Sequence, residues 1–307
     1  MTAADMGAAR PHALLRPGVA LPFLIVALIW GSTWYVIVGQ IAQMPPAWAV
    51  AVRFAIAAPA MFALALFTGK SLALGAAGHR LALVLGLTQF CGNFNFVYRA
   101  ELHLTSGIVA VLFALMIVTN ALIARALIGE RLTHGVLAGG ALAMAGMALL
   151  LAHEARAGLP QGNVPLGALF ALGGILAASL ANVVQANRVG KALPMASLLA
   201  WAMLYGVGFN TVLGLALDGW PQWPASAAFW GGTLFLAILG SVVTFPLYYG
   251  VIRKIGAGRA AYQNILVIVV AMVISTVLEG YEWGPLPVAG AVLSLAGMTV
   301  ALRARKG

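Results

Sequence analysis

Charge is what this chain lacks. Asp, Glu, Lys and Arg make up 8% of its 307 residues, against about 25% in a typical soluble domain. A soluble fold of this length needs a charged surface, and this composition cannot cover one. That excludes a cytosolic enzyme, a secreted domain and a disordered chain. Cysteine is almost absent as well: Cys91 alone supports neither a disulfide framework nor a thiolate metal site. The histidines His12, His79, His103, His134 and His153 are scattered, with no metal-ligand spacing and no serine or acid at a distance a hydrolase would need. No metal, no cofactor and no enzymatic activity are therefore expected. What the chain has is apolar length: 63% of residues are hydrophobic and the mean hydropathy is +1.00. The apolar runs are too long and unbroken for barrel strands, so the expected fold class is an all-α polytopic membrane protein.

A crossing needs about 20 mostly apolar residues, and ten stretches qualify: Leu21–Gln40, Pro46–Phe67, Leu81–Tyr98, Ser106–Leu127, Gly135–Ala152, Leu166–Ala186, Met195–Leu217, Phe229–Val251, Ala260–Leu278 and Pro285–Leu302. They divide the chain into an N-terminal segment (1–20), a first five-helix unit (21–152), a connecting loop (153–165), a second five-helix unit (166–302) and a tail (303–307). Arg10 and Arg16 ahead of the first run have the look of a signal peptide. The run is nevertheless as long as a full span, holds Trp30 and Trp34, and shows no clear small-residue cleavage site, so it reads as the first helix. With the N-terminus in the cytoplasm, 14 of the 17 Lys and Arg fall on the cytoplasmic side; Arg99 and Arg156 fall outside and Arg53 lies within the second span. Five of the seven acids (Glu101, Glu154, Asp218, Glu279 and Glu282) fall outside. This asymmetry predicts an N-in, C-in topology. It also assigns the formal charge of +10 to contact with anionic lipid, so the lipid bilayer is an expected partner and nucleic acid is not.

A shift of 151 residues brings the chain into register with itself. Phe94 falls on Phe245, Tyr98 on Tyr249, Gly107 on Gly258, Leu127 on Leu278, Gly129 on Gly280 and Gly139 on Gly290, and Ala145-Gly146-Met147 on Ala296-Gly297-Met298. Five spans per half is an odd number, so the second half enters the membrane from the opposite side. Such inverted repeats are common among secondary transporters, where they supply two mirror-related conformations.

These features resemble the EamA family of the drug/metabolite transporter superfamily, over nearly the whole chain. Gly129-Glu130-Arg131-Leu132-Thr133 looks like the family's Gly-Glu-x-Leu-Thr signature, and Trp30-Gly31-Ser32-Thr33 and Arg53-Phe54 look like further family patterns. The second half departs from the signature, with Tyr281 in the place of Glu130 and Glu282 one residue on. Within the superfamily the chain looks most like the YddG-type amino-acid exporters. The resemblance implies an EamA-like fold of ten helices in a bacterial inner membrane, and transport by alternating access.

Polar groups are costly in lipid and should face the bundle interior or a water-filled cavity. On helical spacing Gln89, Asn93 and Phe96 share one face of the third span, with Asn95 and Tyr98 close by, and Ser241, Thr244 and Tyr248 share one face of the eighth. Trp30, Thr33 and Trp34 lie near mid-depth in the first span, Ser179, Asn182 and Gln185 in the sixth, and Tyr262 near the cytoplasmic end of the ninth. Neutral amides and hydroxyls can hold an ammonium and a carboxylate together, and the aromatic faces suit a side chain or a cation. The expected substrate-binding set is thus Trp30, Thr33, Trp34, Gln89, Asn93, Tyr98, Asn182, Gln185, Ser241, Thr244, Tyr248 and Tyr262. Each of these residues has the alternative of simply tying helices together. Arg53 either gates the outer mouth or attracts a carboxylate, or else snorkels outward or caps carbonyls. No acid lies near mid-span, which favours facilitated transport over proton-coupled export of cations. Pro59 and Pro246 interrupt the second and eighth spans as hinge or gating points, or as structural kinks. Spans five and ten, with glycines seven residues apart, read as scaffold. The expected function is export of a small polar molecule, an aromatic or other neutral amino acid, with another metabolite or a drug as the alternative cargo, by a chain that can act as a monomer without excluding a dimer.

Overall fold

A computed structural model describes residues 17–129, 132–157, 162–255 and 263–304. Within them the chain is helical, without strands. Helix α1 covers Pro17–Ile41 and α2 Pro46–Phe67. Helix α3 is continuous through Gly75–Leu85, a π-helical stretch Gly86–Asn93, and Phe94–Ala100. Helix α4 runs through Ser106–Leu112, one 3₁₀ turn Phe113–Leu115, and Met116–Ile128. Then follow α5 (His134–Ala157), α6 (Val164–Gln185) and α7 (Met195–Asp218). Helix α8 joins Ala227–Leu234, a second π stretch Phe235–Val243, and Thr244–Ile255. Helices α9 (Gln263–Leu278) and α10 (Pro285–Ala304) complete the set. Among the described residues nine helices are long and apolar enough to cross a membrane; α9, with 16 residues, is apolar but shorter, and its expected start at Ala260 lies outside them.

Some boundaries differ from expectation. α1 starts at Pro17 instead of Leu21, α3 at Gly75 instead of Leu81, and α8 continues past Val251 to Ile255. In α3 and α8 the added residues include polar ones, such as His79, Arg80 and Arg253. Helical hydrogen bonding carries on where hydropathy has already fallen.

Helix ends follow local chemistry. Pro46 opens α2 where no amide is needed, after Pro45 in extended backbone (φ −55°, ψ 144°). Asn163 accepts from the Leu166 amide at 3.1 Å and Ser226 from the Phe229 amide at 3.4 Å, capping α6 and α8. α4 stops on Gly129 (φ 72°), and Gly280 (φ 69°) follows α9. A side chain in that left-handed conformation would be strained. The two glycines are 151-residue mates, so a match of letters is also a match of conformation.

Apolar residues line the outside as well as the core. Leu21, Leu24 and Leu28 on α1, Leu169, Leu172 and Leu176 on α6, and Val269, Val273 and Val277 on α9 are exposed at helical spacing. Apolar stripes of this length suit hydrocarbon, not water. Inside, α2 and α7 pack antiparallel: Trp48 at the start of α2 donates to the Gly219 carbonyl beyond the end of α7 at 3.0 Å, while Phe62 meets Trp201 edge-on at 5.2 Å. α5 and α10 also run antiparallel, at closer range. Gly139 lies against Gly297 and Gly146 against Gly290; a Cβ on Gly139 or Gly146 would come 2.5 Å from the opposing carbonyl oxygen. The 151-residue shift exchanges these two contacts, since Gly139 maps to Gly290 and Gly146 to Gly297.

Candidate functional site

The two π-helical stretches occupy nearly the same register in the two halves: Gly86–Asn93 in α3 shifts onto residues 237–244, overlapping Phe235–Val243 in α8. A π stretch bonds i to i+5, so it turns the later side chains relative to a regular helix and leaves carbonyls for other donors. Both effects are visible. Asn93 is buried and Gln89 half-buried, but Phe96 is exposed and packs beside Phe170, 6.4 Å between centroids. The single face expected for Gln89, Asn93 and Phe96 therefore does not form, because the spacing argument assumed a regular helix. In α8 the Gly240 carbonyl accepts from Trp30 Nε1 at 3.2 Å and from the Thr244 hydroxyl at 2.9 Å, and Ser241 donates to the Leu236 carbonyl, five residues back, at 3.0 Å.

Around this stretch the structure gathers half of the expected residues. Trp30 faces Tyr248 (centroids 5.1 Å) and Phe245 (5.7 Å). Thr33, almost buried, bonds its own helix at the Trp30 carbonyl, 2.7 Å. Ser241 and Tyr98, fully buried, both accept from Arg53, at 3.3 and 3.5 Å. A second neighbourhood lies between α4 and α6. Asn182 donates to Met116 Sδ at 3.6 Å, Gln185 donates to Asn182 at 3.4 Å, and Thr119 meets Ser179 at 2.5 Å. Trp34 reaches toward it, edge-on to Phe113 of α4 at 5.1 Å. Asn93 stands at this side too: its carbonyl and the Phe113 ring both approach Gly174 of α6. The Asn93 side-chain oxygen is enclosed and has no partner among the described residues. Tyr262 and the signature residues Glu130 and Arg131 lie outside the described residues. Pro59 is on the exposed face of α2, and Pro246 follows the π stretch of α8 half-buried.

Two open grooves, of about 300 Å³ between α9 and α10 and about 550 Å³ among α3, α4 and α6, are lined almost wholly by apolar side chains and include none of the expected residues. Six of the expected residues lie instead around the π stretch of α8, and Asn182 and Gln185 between α4 and α6.

Arg53 stands apart from the expected set, yet it links two of its members. It is 2% exposed, so it does not snorkel. Its guanidinium lies 4.4 Å from the Phe94 ring centre and 5.4 Å from that of Phe54, and its Nε is enclosed without a partner. No carboxylate pairs with it among the described residues. The available signal in the sequence was that Arg53 is the one basic residue inside a span.

A network between α3 and α7 also escaped the sequence reading. Asn95 donates to Asn210 Oδ1 at 2.5 Å, and Asn210 Nδ2 donates to the Phe90 and Gly206 carbonyls at 2.9 and 2.6 Å. Phe90 lies in the π stretch, so this pair stitches the irregular backbone to its neighbour.

One end of the bundle is acidic. Glu154 accepts from the Thr105 amide at 2.8 Å, and Glu279 accepts from the Ser106 amide at 3.3 Å and hydroxyl at 2.6 Å, satisfying the start of α4. Glu101, one residue beyond α3, is 2% exposed, and both its oxygens are enclosed without a partner. Burial pushes its carboxyl well above the usual carboxylate range; the charge of Glu279 adds to the push and Arg53 opposes it. The Tyr281 phenol is likewise pushed up, by burial and then by Glu154, and its hydroxyl is enclosed and unpartnered. A position at a helix end thus does not leave Glu101 in water. Among the described residues no three acidic, His or Cys side chains are grouped to hold a metal ion.

The profile of the EamA-like transporter family matches the chain in two stretches, residues 18–152 and 165–303. The chain is 24% identical to Protein PagO of Salmonella typhimurium over 88% of this chain and 86% of that one. It is 27% identical to a protein of the same organism named "Probable amino-acid metabolite efflux pump", over 90% and 92%. The Escherichia coli protein of that name is 25% identical over the same shares. One solved crystal structure, 20% identical, aligns over 95% of this chain and 99% of its own with a TM-score of 0.65, a likeness of fold.

Proposed function

The chain belongs to the EamA-like transporter family and is an integral membrane protein, and from that premise we propose that it exports small polar metabolites, neutral and aromatic amino acids first among them. One observation carries this reading. At the π stretch of α8, side chains from both halves of the chain converge: Trp30, Thr33 and Tyr98 from the first, Ser241, Thr244 and Tyr248 from the second. A substrate site between two halves is what alternating access requires. Asn93, Trp34, Asn182 and Gln185 extend the path toward α4 and α6, with the half-buried Gln89 proposed at its margin. Neutral donors and acceptors interleaved with aromatic faces suit a zwitterion with an apolar side chain. The names of the relatives at 27% and 25% identity agree with that class.

The mode of movement rests on the repeat. Two helices equivalent under the 151-residue shift, α5 and α10, pack antiparallel through exchanged glycine contacts, as inverted repeats would. Ten spans, both termini inside and the acidic end outside complete the proposed topology in a bacterial inner membrane. Pro59 and Pro246, without amides to donate, are the proposed bending points. No carboxylate sits at mid-span to exchange protons for substrate, so flux follows the substrate's own gradient, and the monomer contains both halves of the site.

The test is uptake of radiolabelled neutral amino acids into proteoliposomes, with and without a pH gradient, for the wild type and for Asn93→Ala and Trp34→Ala. Gradient-independent flux, reduced several-fold in either variant, is expected. Absence of flux for every amino acid removes this substrate class, and accumulation above the external concentration driven by the pH gradient removes the facilitative mode.

A further inference from the structure

We propose that Arg53 is the receptor for a carboxylate on the transported molecule and that Glu101 competes with it, leaving the guanidinium to the substrate while protonated and taking it over when ionised. This rests on the transport reading above and names its substrate chemistry and regulation.

A buried guanidinium without a counter-ion is costly, and proteins normally pair one with a carboxylate. Among the described residues its hydrogen bonds go to two hydroxyls and its planar face meets two aromatic rings, with Nε to spare. Both hydroxyls, on Tyr98 and Ser241, belong to the proposed path, and Thr33 lies across Gly240 from it. A planar guanidinium with unfilled donors matches a carboxylate two-pronged. Glu101 has the complementary deficiency: two enclosed oxygens and no donor. It lies one helical turn from Tyr98, whose hydroxyl Arg53 holds.

The groups around Glu101 decide when it ionises. Arg53 on α2 favours the anion, and Glu279 after α9 disfavours it. Tyr98 and Arg99 lie on its own helix and His103 two residues on; at the same end of the bundle Glu154 of α5 accepts from Thr105, and His153 beside it meets the Tyr281 ring. While this end is closed, Glu101 keeps its proton and Arg53 remains open to a substrate carboxylate. Opening admits water; the Glu101 O–H bond breaks, the proton passes to the outer solution, and the new carboxylate draws Arg53 away from the substrate. Closure takes a proton back from the same side. No net proton crosses, so the device gives pH dependence without coupling.

The purified full chain separates the claims. Binding of phenylalanine, 3-phenylpropionate and phenethylamine is measured calorimetrically in detergent from acid to alkaline pH. The wild type should bind the two carboxylates, more weakly as pH rises. Glu101→Gln should keep tight binding across the range. Arg53→Gln should weaken both carboxylates at least about tenfold, a loss on the scale of a charge-assisted pair, with phenethylamine unaffected. Arg53→Lys, which keeps the charge and guards against misfolding, should fall between. No carboxylate binding by the wild type, or equal losses for all three compounds, overturns the receptor role. Infrared spectroscopy follows the protonated Glu101 carbonyl, identified by its absence in Glu101→Gln. Its titration should move up in Arg53→Gln and down in Glu279→Gln; an unmoved midpoint in Arg53→Gln overturns the competition. Binding without phenylalanine flux would instead refute the export reading and leave the receptor standing.

Discussion

At the scale of single residues, the interior asparagines separate into two kinds. Both side-chain oxygens are enclosed without a partner among the described residues, but Asn95 also donates its amide to Asn210, and no such bond is made by the Asn93 side chain there. An enclosed polar atom without a partner costs stability, while a satisfied pair contributes it. Asn95→Ala should therefore lower stability by about 1 kcal/mol, within the range for interhelical bonds in membranes. Asn93→Ala should leave stability level or slightly higher while reducing flux. Thermal unfolding in detergent, read beside transport, checks both. A stability loss for Asn93→Ala equal to that for Asn95→Ala would mean that Asn93 is a structural tie and not part of the path.

Elements are where the two halves show both their kinship and their divergence. Each half has one long helix widened by a π stretch at matching register, and one left-handed glycine at matching register. Yet under the same shift Asn95 maps to Pro246 and Asn210 to Pro59. The widened α3 of the first half is secured to α7 of the second by a bonded amide pair; at the shifted positions on α8 and α2 stand prolines, which remove donors instead. The α5–α10 crossing is the opposite case, rigid and symmetric. Gly146→Ala would place a methyl 2.5 Å from the Gly290 oxygen and the Ser294 side chain. Backbone cannot give way there cheaply, so a loss of about 1–3 kcal/mol is expected, as for other overpacked contacts. Gly208, with open space around its missing Cβ, supplies the control: Gly208→Ala should leave the melting temperature level or raise it.

For the molecule as a whole, topology is the testable property. Leu102 lies at the acidic end and Lys70 at the opposite one, and both are exposed. The natural Cys91 is buried. In intact cells Leu102→Cys should react with a membrane-impermeant thiol reagent, and Lys70→Cys only after permeabilisation. The reverse pattern would turn the proposed orientation over, and with it the side on which Glu101 exchanges its proton.

Composition alone determined that the chain lives in a membrane as helices, because 8% charge cannot solvate a surface of this size. Spacing alone determined most of the spans, since a helix in lipid must satisfy its own backbone, and the 151-residue register is a property of the letters. The site was legible only as a collection of polar residues that lipid would not tolerate. Which of them meet was decided by the tertiary structure. The π stretches rotate side chains away from regular helical spacing, so Phe96 parts from Asn93, and no hydropathy pattern records that. In the sequence Arg53 could equally gate, attract a carboxylate, snorkel or cap, and Glu101 counted only among the outer acids. Their enclosure comes from neighbours distant in sequence, Ser241 and Glu279 among them. A residue's type fixes what it can bond. Only the packing of other helices around it fixes whether water or protein answers.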